Sequence, residues 1–421
     1  MPPLEAWEKV FVDSEFLASV HNTQNCIGCH GGVAEVDDME AAHEGVVRDP
    51  LEDSSDACGA CHTESAQVVA TSLHQNLTGF ITALTARGAD FADPHMEEAF
   101  DNHCNECHTN CGQCHVSRPA AMEGGLLKEH KVKKIASMKD TCMACHGARV
   151  SNEYLGKNEG VEGSVHWLEE GMSCFDCHDR SHYHGDGTEY THRYDGAPGV
   201  DCLECHEEAA SDQSEIQEHA FHASKVACEV CHVSGPYKSC YNCHVAVDDQ
   251  GLSYFKTDDS QLTFEIGRNP NKSDDRPWDY VLVRHIPVVA DTFAFYGDDM
   301  LSTFDNAPTW KYATPHNVQR ITPQNKSCNS CHGNEDIFLT ADDVAAEELA
   351  ANVDVIVEDV PPAFDWVYSE EEDAEFAWGE YAPIEPIASP SPGVNWIGLL
   401  GMGVSIAGIA AVPLMLRRKG H

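Results

Sequence analysis

Positive charge is what this chain lacks most. Only 26 Lys and Arg stand against 70 Asp and Glu, a formal charge of −44. That balance excludes nucleic-acid binding, since phosphate contacts need basic patches. Its bland consequence is a well-solvated surface; the sharper one is attraction of a cationic partner. Between positions 333 and 416 there is no Lys or Arg at all. The first sixteen residues hold neither a basic nor a long apolar run, so they are not a signal peptide, and an export signal is expected upstream. No repeat of fixed period runs through the chain, which argues against a solenoid. Hydrophobic residues, at 42%, fall slightly below the globular norm and imply a core made partly of something other than side chains.

Cysteine is equally absent outside one pattern. All twenty fall in Cys-x-x-Cys-His pentads, ten in number. The first five are Cys26-Cys29-His30, Cys58-Cys61-His62, Cys104-Cys107-His108, Cys111-Cys114-His115 and Cys142-Cys145-His146. The others are Cys174-Cys177-His178, Cys202-Cys205-His206, Cys228-Cys231-His232, Cys240-Cys243-His244 and Cys328-Cys331-His332. This pentad is the attachment motif of a c-type haem. Thiols one helical turn apart can add to the two vinyl groups of one porphyrin, and the adjacent imidazole then lies under the iron. Structural zinc needs two such pairs per metal and no His directly after the second Cys. A disulfide framework sets no requirement on the residue after each pair. The sequence therefore predicts ten covalently attached haems c.

An iron held by one His takes a sixth ligand or keeps an open site. Fifteen of the 25 His lie outside the pentads. His421, at the far C-terminal end, is set aside. The candidate ligands are His21, His43, His74, His95, His103, His130, His166, His184, His219, His222, His285 and His316, with His182 and His192 as surplus members of the cluster around His184. Met39, Met96, Met138 and Met172 are thioether alternatives. His21, before Cys26, and His219 and His222, before Cys228, are expected to serve neighbouring haems, because the local chain rarely wraps both faces of one porphyrin.

Pentad spacing is uneven. Two residues separate His108 from Cys111 and seven separate His232 from Cys240, so haems three and four, and eight and nine, are expected in near contact. Residues 1–244 are then a haem domain carrying nine haems. Residues 245–332 form a haem-poor excursion that carries the tenth; its run 280–289 is rich in β-branched residues and reads as part of a small hairpin. Residues 340–352 read as a short helix, with Thr340 and Asp343 at capping-box spacing. Residues 333–393 make an acidic, proline-bearing stalk. Within 394–421, the uncharged stretch 396–416 is long enough to cross a bilayer and leads into Arg417, Arg418 and Lys419. That predicts a C-terminal transmembrane helix with a cytoplasmic tail. The expected fold class is mostly α with extensive loops, a small β-hairpin region and this helix.

Over residues 26–332 the chain resembles the multihaem c-type cytochromes. The resemblance implies a stacked array of low-potential, bis-His haems relaying electrons between a membrane or periplasmic donor and an acceptor in anaerobic-type respiration. It implies an electron carrier more than an enzyme. The implied partners are redox proteins, either a membrane quinol-oxidising module or a soluble carrier, with the cytoplasmic membrane as anchor and the haem domain on its periplasmic side. The alternative is a multihaem oxidoreductase with one open-site haem acting on a small nitrogen or sulfur compound. The Cys-x-x-Cys-Lys variant that marks the nitrite-reductase branch does not occur.

Overall fold

The structure, a computed structural model, describes residues 11–47, 50, 57–122, 124–158, 160–195, 199–210, 214–233, 242–258 and 264–364. Cys240 of the ninth pentad, the stalk beyond 364 and all of 394–421 lie outside these residues.

A pentad usually folds as one helical turn. Asn25–His30, Cys111–His115, Met143–Cys145, Cys174–Cys177 and Cys228–His232 are α-helical, while Asn105–Cys107, Cys202–Glu204 and Cys328–Ser330 are 3₁₀ turns. The pentad His N–H closes the turn on the first Cys carbonyl, at 2.8 Å for His62, His178 and His332 and 2.9 Å for His146 and His206. Residues three apart share a helix face, so this bond sets both thiols on one side and the imidazole beside them. The ninth pentad differs: Cys243 and His244 lie on a strand, Asn242–Val247.

The expected fold class needs correction. Helix accounts for about 39% of the structure. Its longest described helix is the ten-residue Pro94–His103, and among the described residues none is long and apolar enough to cross a membrane. Isolated helices under about 12 residues are marginal in water, and these short turns hold only through what packs on them. The single small hairpin is replaced by two sheets. Strands β1 (Asn242–Val247) and β2 (Ser253–Asp258) pair antiparallel, His244 opposite Lys256. Strands β3 (Phe264–Arg268), β4 (Tyr280–His285) and β5 (Trp310–Tyr312) form a second antiparallel sheet with β4 central. The expected helix at 340–352 is two short pieces, Ala341–Asp343 and Leu349–Asn352, the first with the Thr340–Asp343 capping box in place.

Side-chain burial gathers around β4. Val281, Val283, Trp310 and Val355 are fully buried there, with Val230 of the Cys228–His232 helix packed on the same cluster. Thr322 Oγ1 and Asn325 Nδ2 donate to the Cys231 carbonyl at 2.5 and 3.0 Å, tying the eighth pentad to the segment that leads to the tenth. A second cluster joins Met96 and Ala99 of the long helix to Val245 of β1, Tyr296 and Phe304. Residues 11–71, by contrast, contain no buried side chain among those described.

Asn352 is the polar pin of the main cluster. Its Oδ1 accepts from Thr309 N and Trp310 N at 3.0 and 2.9 Å, and its Nδ2 donates to Thr309 Oγ1 and Glu348 O at 2.9 and 2.8 Å. Asn352→Ala strands buried backbone donors and should cost about 2–3 kcal/mol in urea unfolding. Burial raises the neighbouring Glu348 carboxyl, but hydrogen bonds from His285 and Thr309 outweigh it and hold the group below its ordinary value. A depressed carboxylate contributes stability above its unfolded pKa and loses it as pH falls through the folded one. Below about pH 4.3, the urea midpoint should therefore fall more steeply in the native protein than in Glu348→Gln.

Candidate metal centres

Eight pentad imidazoles each face an imidazole from outside the pentads. Ring centres are 6.2 Å apart for His30–His130, 6.5 Å for His62–His21, 6.1 Å for His115–His184 and 6.1 Å for His146–His74. They are 6.5 Å apart for His178–His316, 6.1 Å for His206–His166, 6.0 Å for His232–His219 and 6.1 Å for His332–His222. A first-row metal sits about 2.0–2.1 Å from an imidazole nitrogen, itself about 1.1 Å from the ring centre, so two trans imidazoles straddling one metal have centres about 6.2 Å apart. The observed spans match. They do so whether the partners are close in sequence, as 219 and 232, or remote, as 178 and 316.

The other ring nitrogen is fixed in many of these rings. Nδ1–H donates to a backbone carbonyl in His30 (Val47, 3.1 Å), His115 (Lys133, 2.6 Å), His232 (Gln319, 3.0 Å) and His332 (Pro362, 3.3 Å). Among the partners it does so in His130 (Phe11, 2.9 Å) and His222 (Glu218, 2.8 Å). Such bonds select the tautomer whose Nε2 lone pair is available to a metal and raise its basicity. Gly31 makes the first of them possible. Its φ is +65°, and a Cβ there would come within 2.6 Å of Gly45 O, so only glycine lets the 45–47 strand approach His30. Burial, then the nearby His146, His178 and His184, lower His74 to about 4, which keeps its imidazole neutral.

Other candidates lie elsewhere. His285 engages other groups: Nδ1 lies 2.8 Å from Ile286 O and Nε2 3.1 Å from both Glu348 oxygens. His103 is buried with Nε2 on the Tyr296 hydroxyl, 2.7 Å away, and its ring stands edge-on to Phe255 of β2. His43 donates Nδ1–H to Met39 O at 2.6 Å, and His95 is exposed on the first turn of the long helix. In the 182–192 cluster, His182 and His192 accept backbone N–H bonds at Nδ1, from Asp179 (3.0 Å) and Tyr194 (3.2 Å). His184 accepts from Arg180 Nε at 3.0 Å while facing His115. His244 sits 3.8 Å from Asp291, and among the described residues no imidazole faces His108. Of the methionines, Met96 is core and Met39 is 76% exposed.

Contacts between thiols give the pentads a spatial order that the sequence does not. The Cys111 thiol, more than burial, raises Cys58; Cys107 likewise raises Cys145, and Cys142 and Cys174, like Cys202 and Cys228, share a hydrogen bond. Cys29 lies near Cys58, Cys114 near Cys142, Cys177 near Cys205, and Cys231 near Cys331. The sites thus run first, second, fourth, fifth, sixth, seventh, eighth, tenth, with the third beside the fifth. Burial pushes Cys104 up to about 12 and Cys114, Cys231 and Cys331 to about 11. Cys142 and Cys228 are lowered instead, by their hydrogen bonds with Cys174 and Cys202.

Apolar surface is left uncovered along the same line. Val20 is 77% exposed, and Phe11, Leu17, Ile27, Val33, Val36, Val46 and Val47 are exposed around the first pentad. A patch of that extent needs an apolar partner, and a porphyrin plane is one. Among the described residues no three His, Cys, Asp or Glu converge as a protein-only metal site requires. A haem iron needs only two protein ligands, because the macrocycle supplies four. No protein-family model matches the chain, and neither does any curated protein or solved structure compared with it.

Removing one member of a pair separates ligand from bystander. In protein purified with its cofactor, His222→Ala should open one metal position that takes up added imidazole, read in visible absorption. His285→Gln should lower stability and leave the spectrum unchanged.

Proposed function

We propose that the chain is a multihaem c-type cytochrome with ten covalently attached haems c. On this reading it relays electrons between a membrane or soluble donor and an acceptor, on the extracytoplasmic side of the cytoplasmic membrane where such haems are attached. The recurrence of eight facing imidazole pairs at a span suited to one iron carries the reading. Each bound haem supplies a one-electron ferric–ferrous couple. The chain's residues do the rest. Cysteine pairs would hold each macrocycle, and in the eight paired sites the pentad His and its partner would hold the iron between them. Carbonyl acceptors on Nδ1–H make the imidazoles more basic and favour ferric iron, hence low potentials. The order in which the cysteine pairs neighbour one another would set the order of hand-off. The −44 charge favours a cationic partner protein at either end.

A second reading is a multihaem oxidoreductase acting on a small nitrogen or sulfur compound. His108, with no imidazole opposite it among the described residues, favours that reading, since an iron held from one side accepts exogenous ligands.

Intact mass and low-temperature electron paramagnetic resonance decide between them. The relay predicts ten haem additions and only low-spin ferric signals. A high-spin signal that moves with nitrite, hydroxylamine or sulfite would transfer the function to the enzyme. Colourless protein with the mass of bare polypeptide would end both.

A further inference from the structure

In a chain so poor in cations, four cationic or protonatable side chains meet where, among the described residues, no carboxylate forms an ion pair with them. His192 and Arg193 lie on the turn after Tyr190, Arg276 precedes β4, and Lys311 is on β5. The Arg193 guanidinium stands 4.5 Å from the centre of the Tyr194 ring and donates to Tyr312 O at 2.9 Å. Arg276 lies 5.4 Å from the same ring and donates to Tyr194 O, so the two guanidinia bracket one tyrosine. Burial lowers His192, and Arg193, Lys311 and Arg276 lower it further; burial, then Arg87 and Arg193, lower Lys311.

Lys and Arg ion pairs among the described residues belong to Lys131, Lys272 and Arg320, none of them in this group. Arg276 Nε is buried with no hydrogen-bond partner. Three carboxyls are near. Asp195 adjoins His192; Glu153 holds the His316 N–H at 3.0 Å; Glu229 is half-buried, and desolvation pushes it up toward its neutral form. None meets the Arg276 or Lys311 head group. Like charges brought together out of water repel unless an anion joins them.

We infer that His192, Arg193, Arg276 and Lys311 form a binding site for a carboxylate-type oxyanion, and that its occupant is a haem propionate. The inference rests on the proposed function. Position favours that occupant. Arg193 and the buried Glu153 line a small cavity, about 60 Å³, with His316, the imidazole facing His178 of the sixth pentad. Tyr312 lies near Cys202 of the seventh. The cluster therefore stands beside residues of two attachment sites, where macrocycle edges carry carboxylates. Its cations would set the potential of one station in the line, because a cation beside a propionate disfavours the extra charge of ferric iron.

The test is a redox titration of the holoprotein monitored in visible absorption, with and without inorganic phosphate. Lys311 makes no side-chain hydrogen bond among the described residues, so Lys311→Met removes charge with little structural loss. One haem of ten should titrate at a lower potential in Lys311→Met, and Lys311→Arg should restore it. Arg276→Gln should shift the same haem in the same direction, and phosphate should change nothing. If phosphate shifts the native titration and Lys311→Met abolishes that response, the occupant is a free oxyanion and the propionate assignment is overturned. Ten haems with titrations identical in all variants, with and without phosphate, overturn the site itself. Protein lacking haem overturns the underlying reading instead, so the two failures are distinct.

Discussion

The distance between facing imidazoles is the constraint on which the remaining architecture depends. Most facing imidazoles are far apart in sequence, so bringing their rings within about 6 Å of each other is a long-range requirement on the chain. His316 reaches His178 only because the 245–327 segment builds a sheet, returns past β5 and is pinned by Asn352 and Thr309. Gly31 permits the close approach of Gly45 that lets Val47 O engage His30, the imidazole His130 faces. Conventional packing is concentrated where the sheet is, around Val281, Val283 and Trp310. Among the described residues 11–71 no side chain is buried.

The pentads were legible at once because their chemistry is local: two thiols and an imidazole within five residues. Their helical turns come from the same spacing. Pairing was legible only in part. His21 faces the second pentad rather than the first it precedes, and His222 faces the tenth, as chain geometry suggests. His219 departs from that rule by facing His232 of the pentad directly after it, since the Gln217–His222 helix and the turn beyond it fold back. His285 looked like any isolated histidine, because Glu348, which engages it, lies 63 residues away. Spacing did not announce the contacts across the fold, where the Cys107 thiol adjoins Cys145 and the Cys111 thiol adjoins Cys58.

The haem-poor segment was the least legible part. Its β-branched run announced strands, and β4 is one, but a central strand needs partners, and Phe264–Arg268 and Trp310–Tyr312 are too short to announce themselves. Helix was overestimated for a related reason. Apolar residues near a pentad signal a face to be covered, without saying whether side chains or a flat prosthetic group cover it.

The facing pairs also overlap along the chain. Spans 21–62, 30–130, 74–146, 115–184, 166–206, 178–316 and 222–332 leave no peptide bond between 21 and 332 uncrossed. With iron seated in each pair, a protease nick anywhere in that interval would leave the fragments laced together by coordination bonds. Such a molecule would tolerate a cut backbone and come apart only when its metals are stripped or its histidines protonated.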